Sequence, residues 1–317
     1  MTLILTLLAF LLAAYAMVGY GIFRIACLRG KELDWLNEQE VLNSNYKPYA
    51  QVIPLAHRWI HDNNAQNVYA QSHDDLKLHG WWIPAENAKG TMLMFHGYRS
   101  TYMVDFCAVY ELYHTKGYNI LLADQRSHGL SEGKYITFGV KECRDVATWV
   151  DWHNKTIGTI PVFLCGLSMG ASTVLFAAGN PLPENVRGIT ADCGFTSPYD
   201  IIRHVATKQM GPLAGMMMPM VNFWTKTIAG FGLKECSSEK ALKQCSVPIL
   251  MCHGLADDFV PSDMTQRGYD ACTGEKELIL VEDAGHGTSF LKDRPRVEST
   301  LLQFFARNNP NETGESE

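Results

Sequence analysis

Val162-Phe163-Leu164-Cys165-Gly166-Leu167-Ser168-Met169-Gly170 decides the fold of this chain. An apolar run leads into Gly-x-Ser-x-Gly, and the helix-forming stretch Ala171 to Ala178 follows. That order predicts a strand, a sharp turn and a helix, with a serine at the apex. The turn is strained and tolerates no bulk beside it, which accounts for Gly166 and Gly170. It lifts the Ser168 hydroxyl clear of the sheet and leaves a helix N-terminus beneath it. A serine held this way is a candidate nucleophile that needs a base.

After such a turn the partners are expected in the order acid, then histidine. Val247 to Cys252 is a second apolar strand and runs into His253-Gly254-Leu255-Ala256-Asp257-Asp258-Phe259-Val260-Pro261. Acidic residues therefore follow a strand's carboxyl end, where open α/β sheets place their sites. Glu277 to Val281 is strand-like again and leads to Gly285-His286-Gly287, a loop that can approach its neighbours closely. Ser168, then Asp257 or Asp258, then His286 thus close three successive strands. A further strand, Thr91 to Phe95, ends in His96-Gly97-Tyr98. The N–H groups of Tyr98 and Met169 are the candidate oxyanion donors.

With these pieces in place the chain resembles the α/β-hydrolases, and within them the bacterial membrane-anchored serine hydrolases that share features with dienelactone hydrolases and serine aminopeptidases. The matching pieces are His96-Gly97, Asp124-Gln125-Arg126-Ser127-His128-Gly129-Leu130-Ser131, the Ser168 turn, Asp257 to Pro261 and Gly285-His286-Gly287, over roughly residues 65 to 308. The resemblance implies that Asp257 rather than Asp258 is the acid, since the family's aspartate stands four residues after a histidine and before a Val-Pro pair. It gives Asp192 and His128 no catalytic role. It implies a serine hydrolase with a Ser168-His286-Asp257 triad, needing neither metal nor organic cofactor. A carboxylic ester hydrolase is the first expectation. A peptidase or amidase with the same triad, and a non-catalytic binding protein on the same scaffold, are the alternatives. Fold alone does not choose among them.

The rest of the chain sets the frame. At 317 residues and 47% hydrophobic content it can bury one large core. Net charge is −6 with no basic run, which excludes nucleic acid as a partner. Nine cysteines lack any Cys-x-x-Cys or Cys/His ligand spacing, so reduced thiols and no structural zinc are expected. Cys165 reads as a small core residue. Strands at Asn119–Ala123, Pro161–Cys165, Arg187–Ala191, Val247–Cys252 and Lys276–Val281 alternate with helices at Val104–Thr115, Glu142–His153, Ser168–Ala178, Asp263–Cys272 and Pro295–Arg307. This is the pattern of a mostly parallel sheet covered on both faces. An antiparallel hairpin around Ser72–Asp75 precedes it.

Thr2 to Phe23 carries no charge, and 22 residues reach about 33 Å as a helix, enough to span a bilayer. Residues 1–26 are therefore expected to be a transmembrane anchor, with a cleaved signal or a buried helix as alternatives. Arg24, Arg29 and Lys31 follow it and no cation precedes it, which places the catalytic domain in the cytoplasm; the outer face and secretion are the other placements. Residues 27–64 read as a connector broken at Pro48 and Pro54, and residues 309–317 as a disordered tail. Ser197 to Cys236 is too long for a strand connection and is expected to be a small cap of short helices. Its run Met210 to Trp224 is uncharged and Met-rich. That suits a roof over a small-molecule ester with an apolar acyl or aromatic group.

Overall fold

The computed structural model describes residues 1–31, 34–43 and 46–312. The chain opens with α1 (Thr2–Cys27), followed by α2 (Glu38–Leu42), a single 3₁₀ turn (Lys47–Tyr49) and α3 (Val52–Asp62). The hairpin β1 (Gln66–Gln71) and β2 (Lys77–Ile83) comes next, then β3 (Gly90–Phe95), α4 (Tyr102–Asp105), α5 (Tyr110–Thr115) and β4 (Tyr118–Ala123). Beyond these lie α6 (Glu142–Thr156), β5 (Val162–Leu167), α7 (Met169–Ala177), β6 (Val186–Asp192), α8 (Pro198–Met210) and α9 (Leu213–Trp224), which continues into a π turn (Thr225–Ala229). The last elements are α10 (Ser238–Ala241), β7 (Ile249–Gly254), α11 (Ser262–Ala271), β8 (Lys276–Val281), α12 (Ser289–Lys292) and α13 (Arg294–Asn308).

The eight strands form one sheet in the order β1-β2-β4-β3-β5-β6-β7-β8. Only the β1–β2 and β2–β4 pairs are antiparallel. Side chains alternate between the two faces, and burial of both faces explains why the inner strands read as continuous apolar runs. Leu93 and Phe95 face one layer with α6, α7 and the cap, while Met92 and Met94 face the other with α5 and α13. The parallel register aligns the carboxyl ends of the central strands, with Phe95 opposite Gly166, Leu167 opposite Asp192 and Gly254 opposite Val281. The loops leaving those ends converge on one rim.

Four expectations need correction. Val104–Thr115 is not one helix: it turns at residues 106–109. Val104, Asp105, Phe106 and Cys107 are all buried, and Asp105 turns inward to accept the Gly97 N–H and the Ser100 hydroxyl. Residues 34–64 are not a free connector. Trp35, Val41, Tyr49, Ile53 and Ile60 are buried in the same core as Met92 and Met94. Pro54 does not break α3; it is the helix's third residue, where its missing N–H costs nothing. Of the tail, residues 309–312 are docked: Asn309 is fully buried and Glu312 pairs with Lys89 Nζ at 2.6 Å and accepts from Tyr118. Residues 313–317 lie outside the described residues.

α1 is the one helix among the described residues that is long and apolar enough to cross a membrane, a test that a signal sequence also passes. Most of its length is exposed, from Leu3 to Leu12 almost without break. Its last turns are not. Phe23 and Cys27 are buried against Tyr135, and Arg29 beyond the helix donates to the carbonyls of Gly129 and Ser131.

Candidate active site

The turn after β5 is built by exclusion. A Cβ on Gly170 would stand 1.8 Å from the Phe95 carbonyl oxygen, and one on Gly166 2.3 Å from the Gly170 oxygen. No other residue fits at either position. Ser168 between them takes φ +55° and ψ −114°, a conformation that costs an L-residue roughly 1–3 kcal/mol. Its N–H donates to the Asp192 carbonyl at 2.8 Å, which ties the turn to β6.

Ser168 Oγ lies 2.9 Å from His286 Nε2, and His286 Nδ1 lies 2.7 Å from Asp257 Oδ2. A carboxylate only accepts, so the ring proton is assigned to Nδ1, leaving Nε2 to accept from the serine hydroxyl. Asp257 is held from four sides. Its Oδ1 accepts the N–H groups of Phe259 and Val260, both at 2.9 Å, and its Oδ2 also meets His253 Nε2 at 3.1 Å. Burial alone would raise this carboxyl; the hydrogen bonds from His253 and His286 outweigh it and hold Asp257 well below the usual carboxylate range. Asp258 is exposed and takes no part. Asp192 is half-buried at the end of β6, 3.4 Å from Ser289 Oγ, and desolvation pushes its carboxyl up.

The loop carrying Tyr98 lies against the serine: a Cβ on Gly97 would stand 3.2 Å from Ser168 Cβ. Met169, the first residue of α7, adjoins it on the other side. The sequence reading missed what braces this loop. Asp105 accepts the Gly97 N–H and the Ser100 hydroxyl, the latter at 2.7 Å. His128 Nε2 accepts the Arg99 N–H at 3.0 Å. Burial, then the neighbouring His96, lowers His128 to about 3, so the ring stays neutral as this bond requires. Tyr49, from the segment read as a connector, donates its hydroxyl to the Gly287 carbonyl beside His286. No spacing rule points to Asp105 or Tyr49; only the folded contacts do.

Above Ser168 opens a cleft of about 260 Å³. Ile201, Ile202 and Val205 of α8 form one wall and Ile22 and Ala26 of α1 the other, with Phe195 and Phe259 near the serine. This corrects the Met-rich roof. Met217 and Met218 are buried in packing and Met216 is exposed, so of that run only Met210 reaches the cleft. The cap is also less broken than expected, because α9 runs through both Gly215 and Pro219.

Among the described residues one cluster offers metal-ligand atoms, Cys193, Asp257 and His286, within 4.8 Å of one another. It suits a metal poorly. Asp257 and His286 are bonded to each other, and burial pushes the Cys193 thiol far above its ordinary value, away from the thiolate a metal needs.

A family model described as "Serine aminopeptidase, S33" matches residues 86–227. The chain is 27% identical over 231 residues to the uncharacterized protein YqkD of Bacillus subtilis, covering 73% of this chain and 75% of that protein. It is 22% identical over 278 residues to a protein of Danio rerio named lysophosphatidylserine lipase ABHD12, covering 78% and 71% of the two. Among solved structures it resembles the Pyrococcus furiosus esterase Pf2001, with a TM-score of 0.63 and 22% identity over 79% of this chain and 94% of that one.

Proposed function

We propose that the protein, which has the α/β-hydrolase fold, is a serine hydrolase of carboxylic esters. The observation that carries this is the continuous relay from Asp257 through His286 to Ser168, at 2.7 and 2.9 Å. In this reading His286 takes the Ser168 proton as Oγ attacks the acyl carbonyl. The N–H groups of Tyr98 and Met169 receive the oxyanion, each donor contributing about 10²–10³ in rate. His286 returns the proton to the leaving alcohol, and water then releases the acyl group from Ser168 with His286 again as base. Asp257 stays ionised throughout and fixes the imidazole tautomer.

The main rival is an aminopeptidase, as the family description suggests. Such an enzyme needs an anion to hold the substrate's α-ammonium. Among the described residues no Asp or Glu lines the cleft, whose walls are Ile, Val, Phe, Ala and Met with Gln209 and Arg99 at the margin. That lining favours an uncharged acyl chain. The similarity to the fish lipase and the archaeal esterase agrees with ester chemistry. A fluorophosphonate probe should label wild type at Ser168 stoichiometrically and leave Ser168→Ala unlabelled. A folded wild type that takes no label would end the serine hydrolase reading. Hydrolysis of aminoacyl anilides in preference to p-nitrophenyl esters would transfer it to the peptidase.

In the same proposal residues 65–308 carry the catalytic domain with the cap at 197–236, and α1 anchors it to a membrane with the domain on the cytoplasmic side. The burial of Phe23 and Cys27 in the fold supports retention of the helix over its cleavage. Protease added to intact cells should spare the domain; digestion would place it outside.

A further inference from the structure

The N-terminal helix does more than reach outward. Ile22 and Ala26 face the cleft that contains Ser168, opposite Ile201, Ile202 and Val205, and Ile25 stands at its mouth. The end of this helix also grips the loop that carries Tyr98. Tyr98 donates its hydroxyl to the Ala26 carbonyl at 2.9 Å, and Arg99 Nη2 donates to the carbonyls of Ile25 at 2.8 Å and Leu28 at 3.1 Å. Further along, α1 is locked to the cap. Tyr15 donates to the Met216 carbonyl at 2.8 Å, and Trp224 Nε1 donates to the Ala16 carbonyl at 3.0 Å. Gly19 sits against Met220 so closely that a Cβ there would lie 2.4 Å from Met220 Cγ. The joined pair presents an exposed apolar surface: Leu8, Leu11 and Met17 from α1, Leu213, Met216 and Phe223 from α9.

We propose that α1 forms one wall of the acyl pocket and that the pocket opens between α1 and the cap at the bilayer surface, so that the substrate is a single-chain acyl ester taken from the membrane. The inference rests on the serine hydrolase reading. Its logic is one of continuity. An exposed apolar helix long enough to cross a membrane, joined to an exposed apolar cap face, is a surface that lipid would cover. The cleft beside that pair reaches down to Ser168, lined by aliphatic side chains of α1 and of the cap helix α8. A long acyl chain entering there never crosses water, and its ester is delivered to Ser168 with the leaving group toward the rim. Each methylene buried along the cleft is worth about fourfold in kcat/KM.

The experiment uses the full chain reconstituted in dioleoylphosphatidylcholine vesicles. Fluorophosphonate labelling of Ser168 is scored first; failure there overturns the serine hydrolase reading, independently of the pocket. The ratio of kcat/KM for p-nitrophenyl laurate over p-nitrophenyl acetate is then measured. Ile22→Trp, which fills the cleft, should lower that ratio at least tenfold. Leu8→Trp, on the exposed part of the same helix, should leave it unchanged. Should Ile22→Trp not fold, Ile22→Ala removes wall contacts and should lower the ratio several-fold. An unchanged ratio in the Ile22 variants, or the same fall in Leu8→Trp, overturns the assignment of α1 to the pocket. Finally, diluting the laurate ester with phospholipid at fixed bulk concentration should slow turnover in proportion to its surface fraction. A rate that follows bulk concentration alone overturns delivery from the bilayer.

Discussion

Ser168 is held where a serine is uncomfortable, and that gives a test that separates chemistry from folding. Its φ of +55° with ψ of −114° is a region that glycine enters freely and alanine does not. Ser168→Ala should abolish ester hydrolysis and leave the melting temperature within a few degrees, because the loss is one hydrogen bond, to His286. Ser168→Gly should be equally inactive yet more stable than Ser168→Ala by about 1–3 kcal/mol in urea unfolding, since it releases the backbone strain. Equal stability of the two would mean that the turn is not strained in solution. At the acid, Asp257→Asn should lower kcat by about 10⁴ through the wrong imidazole tautomer, while Asp258→Asn should change it less than twofold. The reverse order would move the acid to Asp258. This scale is the one most legible in sequence. Ser168, Asp257 and His286 each follow a strand, and Ser168 and His286 stand among glycines, so pattern and spacing mark them as candidates. Asp105 and Tyr49 stay hidden because their partners are the Gly97 amide and the Gly287 carbonyl, and backbone groups leave no mark on composition.

Elements are placed by two turns that brace each other, the His96–Ser100 loop after β3 and the Asp124–Ser131 turn after β4. Arg126 in the second turn is buried and reaches Asp74 of the hairpin and Asp145 of α6 with paired bonds of 2.6–3.0 Å. Removing the cation leaves a buried carboxylate unpaired. Arg126→Met should therefore cost about 3–5 kcal/mol of stability, read by chemical denaturation, with the fluorophosphonate reaction intact in the fraction that folds. A loss under 1 kcal/mol would make this a surface-like pair. His128 in the same turn gives a pH dependence. Its folded pKa of about 3 lies below its ordinary 6.5, so between those values the unfolded chain binds a proton that the folded chain refuses. Its contribution is complete above pH 6.5 and is lost as pH falls toward 3. Between pH 6.5 and 5 that is about 2 kcal/mol. His128→Asn should flatten this limb of the stability curve by about that amount, and equal slopes in both proteins would mean that the folded ring accepts the proton. The strands and long helices were readable from period and punctuation. The split of Val104–Thr115 was not, because Asp105 turns inward to serve a loop and periodicity averages over such a residue.

The whole molecule differs from the sequence expectation mainly in how its first 64 residues are used. Apolar length identifies α1 and turn residues divide 34–64, but neither shows where a segment docks, since docking depends on contacts more than a hundred residues away. Tyr49 to Gly287 and Trp224 to Ala16 are contacts of that kind. The contacts of α1 tie it to catalysis as well as to the membrane. A chain beginning at Asp34 loses the apolar helix and should leave the membrane fraction. It also loses Phe23 and Cys27 from the core, and truncating a buried aromatic costs about 3–5 kcal/mol. The Ala26 and Ile25 carbonyls that hold Tyr98 and Arg99 go with it, and the loop with the proposed oxyanion donor keeps Asp105, His128 and the Tyr98–Phe138 stack but loses its anchor on the helix. The truncated protein should thus be soluble, less stable, and slower even toward p-nitrophenyl acetate, by about 10-fold or more in kcat with KM little changed, because a displaced donor weakens the transition state rather than the ground state. Activity equal to that of the full chain would show that Tyr98 is positioned without the helix and that α1 serves only as a tether.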